Sequence, residues 1–177
     1  PGFWLLSALI CSPVTALDSP AEFIAMGDRA WATRAEGHQG SRAAAEPIEK
    51  AIAAYQDALD LQANNLEARW KLLRAFYFKG EFVLDDDRQR LALYQMGREV
   101  AETGRLLIEA DYALGKGLFK MEPAEVVRAV GSQTAVAEYC FWAAANWGLW
   151  GQYSGKLISA LAGLVNKIRQ LAEIMVL

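Results

Sequence analysis

The sequence has very little of what side-chain catalysis requires. Its single histidine, His38, lies in a glycine-flanked loop, so neither a Ser-His-Asp triad nor a histidine metal site has support. A phosphate-binding loop and a dinucleotide-binding glycine fingerprint are also missing. The acidic run 85–87 lacks the spaced ligands and the following glutamate of a calcium loop. We therefore expect no catalytic residues, no metal site and no cofactor, in a protein that is not an enzyme.

Cysteines and strand signals are also scarce, and neither sign of charge is in large excess. Two cysteines do not make a disulfide framework, and Cys140, within an aromatic segment, is expected to be a buried apolar residue. The net charge is −3 with both signs mixed, which argues against a nucleic-acid partner. Alternating β-branched runs bounded by Asn-Gly or Asp-Gly turns are nearly absent. What remains is an α-helical protein.

The first residues have the character of a secretory signal. Residues 3–10 form an apolar run that is too short to span a bilayer, and Val14-Thr15-Ala16 offers the small side chains that a signal peptidase inspects. We predict a truncated signal peptide at 1–16 and a periplasmic mature protein. One alternative is a lipoprotein acylated at Cys11, which the bulky Ile10 disfavours. A buried N-terminal helix is the other.

Helix signals recur through the rest of the chain. Ser19, Pro20 and Glu22 form a capping-box start, and apolar residues then repeat every three to four positions. No proline-, serine- or glycine-rich linker divides the chain, and the apolar end has no cap. We therefore predict one helical domain, 17–177, that is truncated at its C-terminus. The predicted helices cover about 20–35, 46–61, 66–79, 88–114, 123–130, 135 through 150, and 156 to the end.

Part of this domain matches a tetratricopeptide repeat. Small residues flank an aromatic one at the positions where the second helix of that repeat packs, and the next segment fits the first helix of a following repeat. Ala63 and Arg69 depart from the proline and the tryptophan that are usual there. The predicted fold class is all-α, with antiparallel helix hairpins in a compact α-solenoid or bundle. The matching residues are Ala51, Tyr55, Ala58, Leu72, Phe76 and Gly80.

A narrower resemblance rests on the order of several motifs. The chain resembles the TatT family, the T component associated with tripartite ATP-independent periplasmic (TRAP) transporters. This resemblance implies a periplasmic or lipid-anchored protein, a homotrimer, a TRAP solute-binding protein as partner, and a hydrophobic small molecule held in a central channel. The motifs that carry it are Gly27-Asp28-Arg29-Ala30-Trp31, Phe78-Lys79-Gly80-Glu81, Gly97-Arg98 and Phe141-Trp142-Ala143-Ala144-Ala145-Asn146-Trp147-Gly148.

The aromatic sixth helix is the strongest candidate for a working surface. Five of its residues share one helical face, and a stripe of small residues at Ala144, Gly148, Gly151 and Gly155 is suited to close packing against a neighbour. The aromatic face either fills the core or lines a ligand channel, and Asn146 is expected to hydrogen-bond a helix end. The alternative function is an interaction scaffold without a small ligand. The candidate ligand-binding residues are Tyr139, Trp142, Asn146, Trp150 and Tyr153, together with Phe76 and Tyr77 of the third helix.

Overall fold

Helices make up nearly all the regular structure of residues 19–176, which are those that the computed structural model describes. This part of the chain has no strand, only an isolated bridge between Gln39 and Arg42. The all-α prediction is confirmed, while the predicted signal peptide at 1–16 and Cys11 lie outside the described residues. The helices are α1 Pro20–Ala32, α2 Ala45–Leu61, α3 Leu66–Phe82, α4 Asp87–Asp111, α5 Pro123–Val130, α6 Thr134–Ser154, α7 Lys156–Leu161 and α8 Leu164–Val176, with a 3-10 turn at Leu118–Lys120.

Side-chain caps begin three of these helices. Ser19 and Glu22 form a capping box at α1, in which each side chain binds the other residue's backbone N–H. Asn65 caps α3, since its side chain accepts a hydrogen bond from Ala68 N at 2.9 Å. Asp86 caps α4 in the same way. The acidic run before α4 therefore serves the start of that helix.

The end of the chain differs from the expected single helix. Gly163 adopts a left-handed φ of 61°, which ends α7 and starts α8 at Leu164. The apolar periodicity continues across this break, so the prediction of one helix from residue 156 onward was wrong. The break lets α8 fold back along α6, where Leu164 fills the space over Gly151. The α1 helix also ends three residues earlier than expected, at Ala32.

Three hairpins form the framework. They pair α1 with α2, α3 with α4, and α6 with α8, while α2 packs on α3 and both α3 and α4 pack on α6. The α5 helix and the 3-10 turn connect the second hairpin to the third, and Gln170 of α8 donates to Met121 O at 2.6 Å. Among the described residues, no helix combines the length and the apolar character that crossing a membrane requires.

Glycine–tyrosine contacts join the helices. A Cβ added at each of three helical glycines would overlap the facing tyrosine side chain, so these helices approach closely only because the glycines are there. The hydroxyls of Tyr55 and Tyr94 donate to Asp28 and Glu81 at 2.8 Å, and each carboxylate follows its glycine directly in sequence. The first two hairpins thus repeat one packing device. The three pairs are Gly27–Tyr55, Gly80–Tyr94 and Gly104–Tyr139.

A buried arginine occupies the position where a tetratricopeptide repeat usually has tryptophan. Arg69 is 6% exposed; its guanidinium donates to Ala63 O at 2.5 Å and to Val100 O at 3.5 Å. Burial lowers the pKa of Arg69 from its ordinary value. The Arg69 side chain therefore connects the α2–α3 turn to α4 by hydrogen bonds. A tryptophan could not make both bonds, because its indole has only one donor.

Candidate functional site

The middle of α6 is a buried seam against α4. Tyr139 is 1% exposed and Asn146 is fully buried, and they lie over Gly104 and Gly97 of α4. The Tyr139 hydroxyl donates to Ala101 O, and burial raises its pKa well above the ordinary value. Both residues were candidates for a ligand wall, and the structure places them in the core.

Asn146 connects α6 to α3. Its Nδ2 donates to Leu73 O at 2.9 Å and to Trp142 O at 2.8 Å. These carbonyls belong to the bodies of α3 and α6, so the expected bond to a helix end was wrong. Its Oδ1 faces Gly97 and has no hydrogen-bond partner within residues 19–176. Because Asn146 is fully buried, this oxygen is not accessible to a ligand at the surface.

The consecutive aromatics of α3 point to three different places. Phe76 is buried in the core. Tyr77 contacts Trp142 of α6, with ring centroids 5.6 Å apart, and Phe78 contacts Trp31 of α1 at 5.7 Å. Ring contacts therefore join α3 to α1 and to α6. We call this surface the inner aromatic face; its residues are Trp31, Tyr77, Phe78, Phe141 and Trp142.

Two arginines lie on the inner aromatic face. The guanidinium carbons of Arg74 and Arg34 are 4.0 and 4.2 Å from the centroid of the Trp31 ring, and Arg74 also approaches Trp70 at 5.0 Å. Neither arginine makes an ion pair within residues 19–176. Their guanidinium groups make cation–π contacts with these rings instead of ion pairs.

The last predicted aromatic, Tyr153, packs at the far end of α6. Its ring stacks on Tyr94 with centroids 5.8 Å apart, and the Arg90 guanidinium lies 5.9 Å from its centre. Arg90 also donates to Gly80 O at 3.0 Å. Tyr153 therefore belongs to the contact between α6 and the second hairpin, away from the surfaces on either side of α6.

A pocket borders the C-terminal half of α6. It has a volume of about 310 Å³ and lies between α4, α6 and the turn from α7 to α8. Trp150, 6% exposed, was predicted as a candidate; Trp147 was not, because it lies outside the five-residue face of the helical wheel. We call this site the tryptophan pocket, and its lining residues are Arg98, Glu99, Glu102, Trp147, Trp150, Ala162, Leu164 and Lys167.

Two cations cover the indole walls of the tryptophan pocket. The Arg98 guanidinium carbon lies 4.4 Å from the centroid of Trp150, and Lys167 Nζ lies 5.1 Å from that of Trp147. No carboxylate of the described chain pairs with either cation. The site therefore combines flat apolar walls with two positive groups, each on a flexible side chain.

The acidic residues of the same pocket are already engaged. Glu102 pairs with Arg105 at 2.5 Å, and Glu109 binds the same guanidinium from the other side. Glu99 is exposed and accepts from Gln95 Nε2 at 3.0 Å. Because Arg105 is shared by Glu102 and Glu109, and Gln95 is neutral, these carboxylates offset the charge of the two lining cations.

A second pocket of about 290 Å³ lies at the turn between α5 and α6. Val127, Val130 and Val136 line it together with Ile174 of α8, and its lining includes no charged side chain. Its polar lining groups are the uncharged side chains of Ser132, Gln133 and Thr134. Comparison of the chain with protein-family models, with curated proteins and with solved structures gave no match.

Proposed function

We propose that this chain is a helical-hairpin binding protein, not an enzyme, and that it holds a hydrophobic or amphiphilic solute in the tryptophan pocket. The observation that carries the proposal is the pair of indoles, Trp147 and Trp150, beneath two cations that make no ion pair within residues 19–176. Small-molecule sites are concave, and their volumes start at roughly 300 Å³. The tryptophan pocket reaches the lower end of that volume range, with apolar and charged residues in equal number in its lining.

The resemblance to the TatT family supplies the biological setting of the proposal. In that setting the protein is periplasmic, accessory to a TRAP-type transporter, assembled as a homotrimer, and docks the solute-binding protein of the transporter. The support for this part is the order of the sequence motifs. Gly27 and Gly80, which belong to those motifs, are also the glycines that the tyrosine contacts require.

Native mass spectrometry of the protein purified from its own cells tests the solute claim. We expect a co-purified species on the wild-type chain that is lost from the Trp150→Leu variant. Trp142→Leu is the matched control, because it removes the same kind of side chain from a position of α6 that does not line the pocket. A clean apo mass for the wild type would contradict the proposal, and so would equal loss from both variants.

The inner aromatic face favours a second candidate function, an interaction scaffold for a protein partner. Phe141 is 46% exposed at the edge of this face, next to Trp142. A photo-crosslinking amino acid at Phe141 should capture a protein in cells, while the same group at Leu106, 53% exposed on α4, should not. Equal capture from both positions, or none from Phe141, would exclude the scaffold role for this face.

A further inference from the structure

The connection between α6 and α8 exposes aliphatic side chains. Leu157 and Ile158 of α7 are 75% and 50% exposed, and Val165, in the first turn of α8, is 77% exposed. Because α8 folds back along α6, all three lie at one end of this hairpin. We call this surface the α7 tip; its residues are Lys156, Leu157, Ile158 and Val165.

The α7 helix turns a polar side chain toward the protein. The hydroxyl of Ser159 donates to Gly151 O of α6 at 2.8 Å, while Leu157 and Ile158 face solvent. A surface helix normally packs its apolar side on the protein and exposes its polar side. The arrangement of α7 is the reverse, so its apolar side chains are available to a molecule outside the chain.

The charge of the α7 tip is positive. Lys156 is exposed and makes no ion pair within residues 19–176. The sequence has no aspartate or glutamate between Glu138 and Glu173, so neither α7 nor the first two turns of α8 contain an acidic residue. The apolar surface is therefore bordered by a cation.

Other charges near this end of the hairpin are offset by partners. In the acidic run before α4, Asp85 pairs with Arg42, Asp87 pairs with Arg90 at 3.0 Å, and Asp86 caps the helix. The first two cations of α8 also have acidic neighbours, so Lys156 gives the α7 tip its net charge. These neighbours are Glu99 and Glu102 for Lys167, and Glu173 for Arg169.

The composition of the α7 tip fits a lipid surface better than a protein. Hot spots between proteins are enriched in tryptophan, tyrosine and arginine, whereas leucine and valine are under-represented, and the apolar residues of the tip are all aliphatic. A two-fold contact with a second copy would bring like charges together. Membrane-surface segments combine apolar side chains with lysine or arginine, which anionic lipids attract.

We infer that the α7 tip inserts into the surface of a membrane that contains anionic lipids. Leu157 and Ile158 enter the boundary between headgroups and acyl chains, and Lys156 stays at the level of the lipid phosphates. This inference goes beyond the proposed solute site and is independent of it, because the α7 tip and the tryptophan pocket share no residue.

A fluorescent label on the tip tests insertion directly. Nitrobenzoxadiazole attached to Ile158→Cys, in a Cys11→Ser background where Cys140 is buried, should brighten and shift to shorter wavelength. The vesicles contain equal parts of phosphatidylcholine and phosphatidylglycerol. The same label at Leu106→Cys, 53% exposed on α4, is the control and should not respond. No response at position 158, or an equal response at both positions, would overturn the inference. This local signal is separate from any binding through residues 3–10.

Flotation with the same vesicles then assigns the contributions of the side chains. Leu157→Ser should weaken binding about tenfold, and Leu106→Ser should leave it within about twofold. Lys156→Gln should weaken binding about fivefold, but not on vesicles of phosphatidylcholine alone, because its partner is the anionic lipid. Full binding by Leu157→Ser, or an equal loss in Leu106→Ser, would contradict insertion. If sedimentation shows an oligomer that Leu157→Ser dissociates, a second copy covers the tip and the inference is wrong.

Discussion

Two stretches of α6 use similar residues for different ends. Toward α4, Tyr139 and Asn146 sit over glycines and are fully enclosed. Further along the same face, Trp150, with Trp147 beside it, borders a pocket and lies beneath cations from α4 and α8. The difference lies in the opposing residue: Gly97 and Gly104 allow backbone-close packing, whereas Trp150 meets the long side chain of Arg98.

Disrupting the close contact between α4 and α6 should have the largest effect on stability. The Gly104→Ala substitution places a methyl group into the ring of Tyr139, and we expect it to destabilise the fold by about 3 kcal/mol. We expect this loss even though alanine is more favourable than glycine within a helix by roughly 1 kcal/mol. Urea unfolding followed by circular dichroism measures it.

Gly115→Ala is the control for this substitution. Gly115 lies in a turn after α4, has no atoms near its missing Cβ and does not adopt a positive φ. We expect the stability of the Gly115→Ala variant to stay within about 0.5 kcal/mol of the wild-type value. If Gly104→Ala were as stable as this control, the close approach of α4 and α6 would not depend on the glycine.

The hydrogen bonds of Asn146 in the contact between α6 and its neighbours should contribute less to stability than the glycine. Asn146→Ala removes two hydrogen bonds to Leu73 O and Trp142 O and leaves a small cavity, so we expect a loss of about 2 kcal/mol in the same urea experiment. Asn166→Ala, on the exposed surface of α8, should change stability by under about 0.5 kcal/mol. Equal losses in the two variants would mean that the buried amide contributes nothing specific.

Local signals were sufficient to predict most of the fold. Caps at Ser19 and before α4, together with three-to-four-residue apolar spacing, indicated the helices, because both signals depend on residues close in sequence. The break at Gly163 was missed because the apolar pattern runs through it. Only the packing of Leu164 back onto Gly151 distinguishes Gly163 from a glycine that is tolerated inside a helix.

The candidate site was less predictable because it depends on distant residues. A helical wheel grouped Tyr139, Asn146 and Trp150 together, but burial was decided by Gly97 and Gly104, which lie more than thirty residues earlier in the chain. The wheel also omitted Trp147, whose role depends on Lys167 of α8. Tertiary packing, which the periodicity of one helix does not contain, separates core aromatics from pocket aromatics.

The contact between Arg98 and Trp150 should show the smallest effect on stability. Trp150 is buried but Arg98 is half-buried, and cation–aromatic pairs with a partly solvated cation contribute about 0.5 kcal/mol. A double-mutant cycle with Arg98→Gln, Trp150→Leu and the combined variant isolates this coupling, because each single substitution removes the same pair. The same cycle made with Arg88→Gln should give a coupling near zero. A coupling above about 2 kcal/mol would show instead that Arg98 is part of the core, and the pocket would then lose one of the two cations available to a ligand.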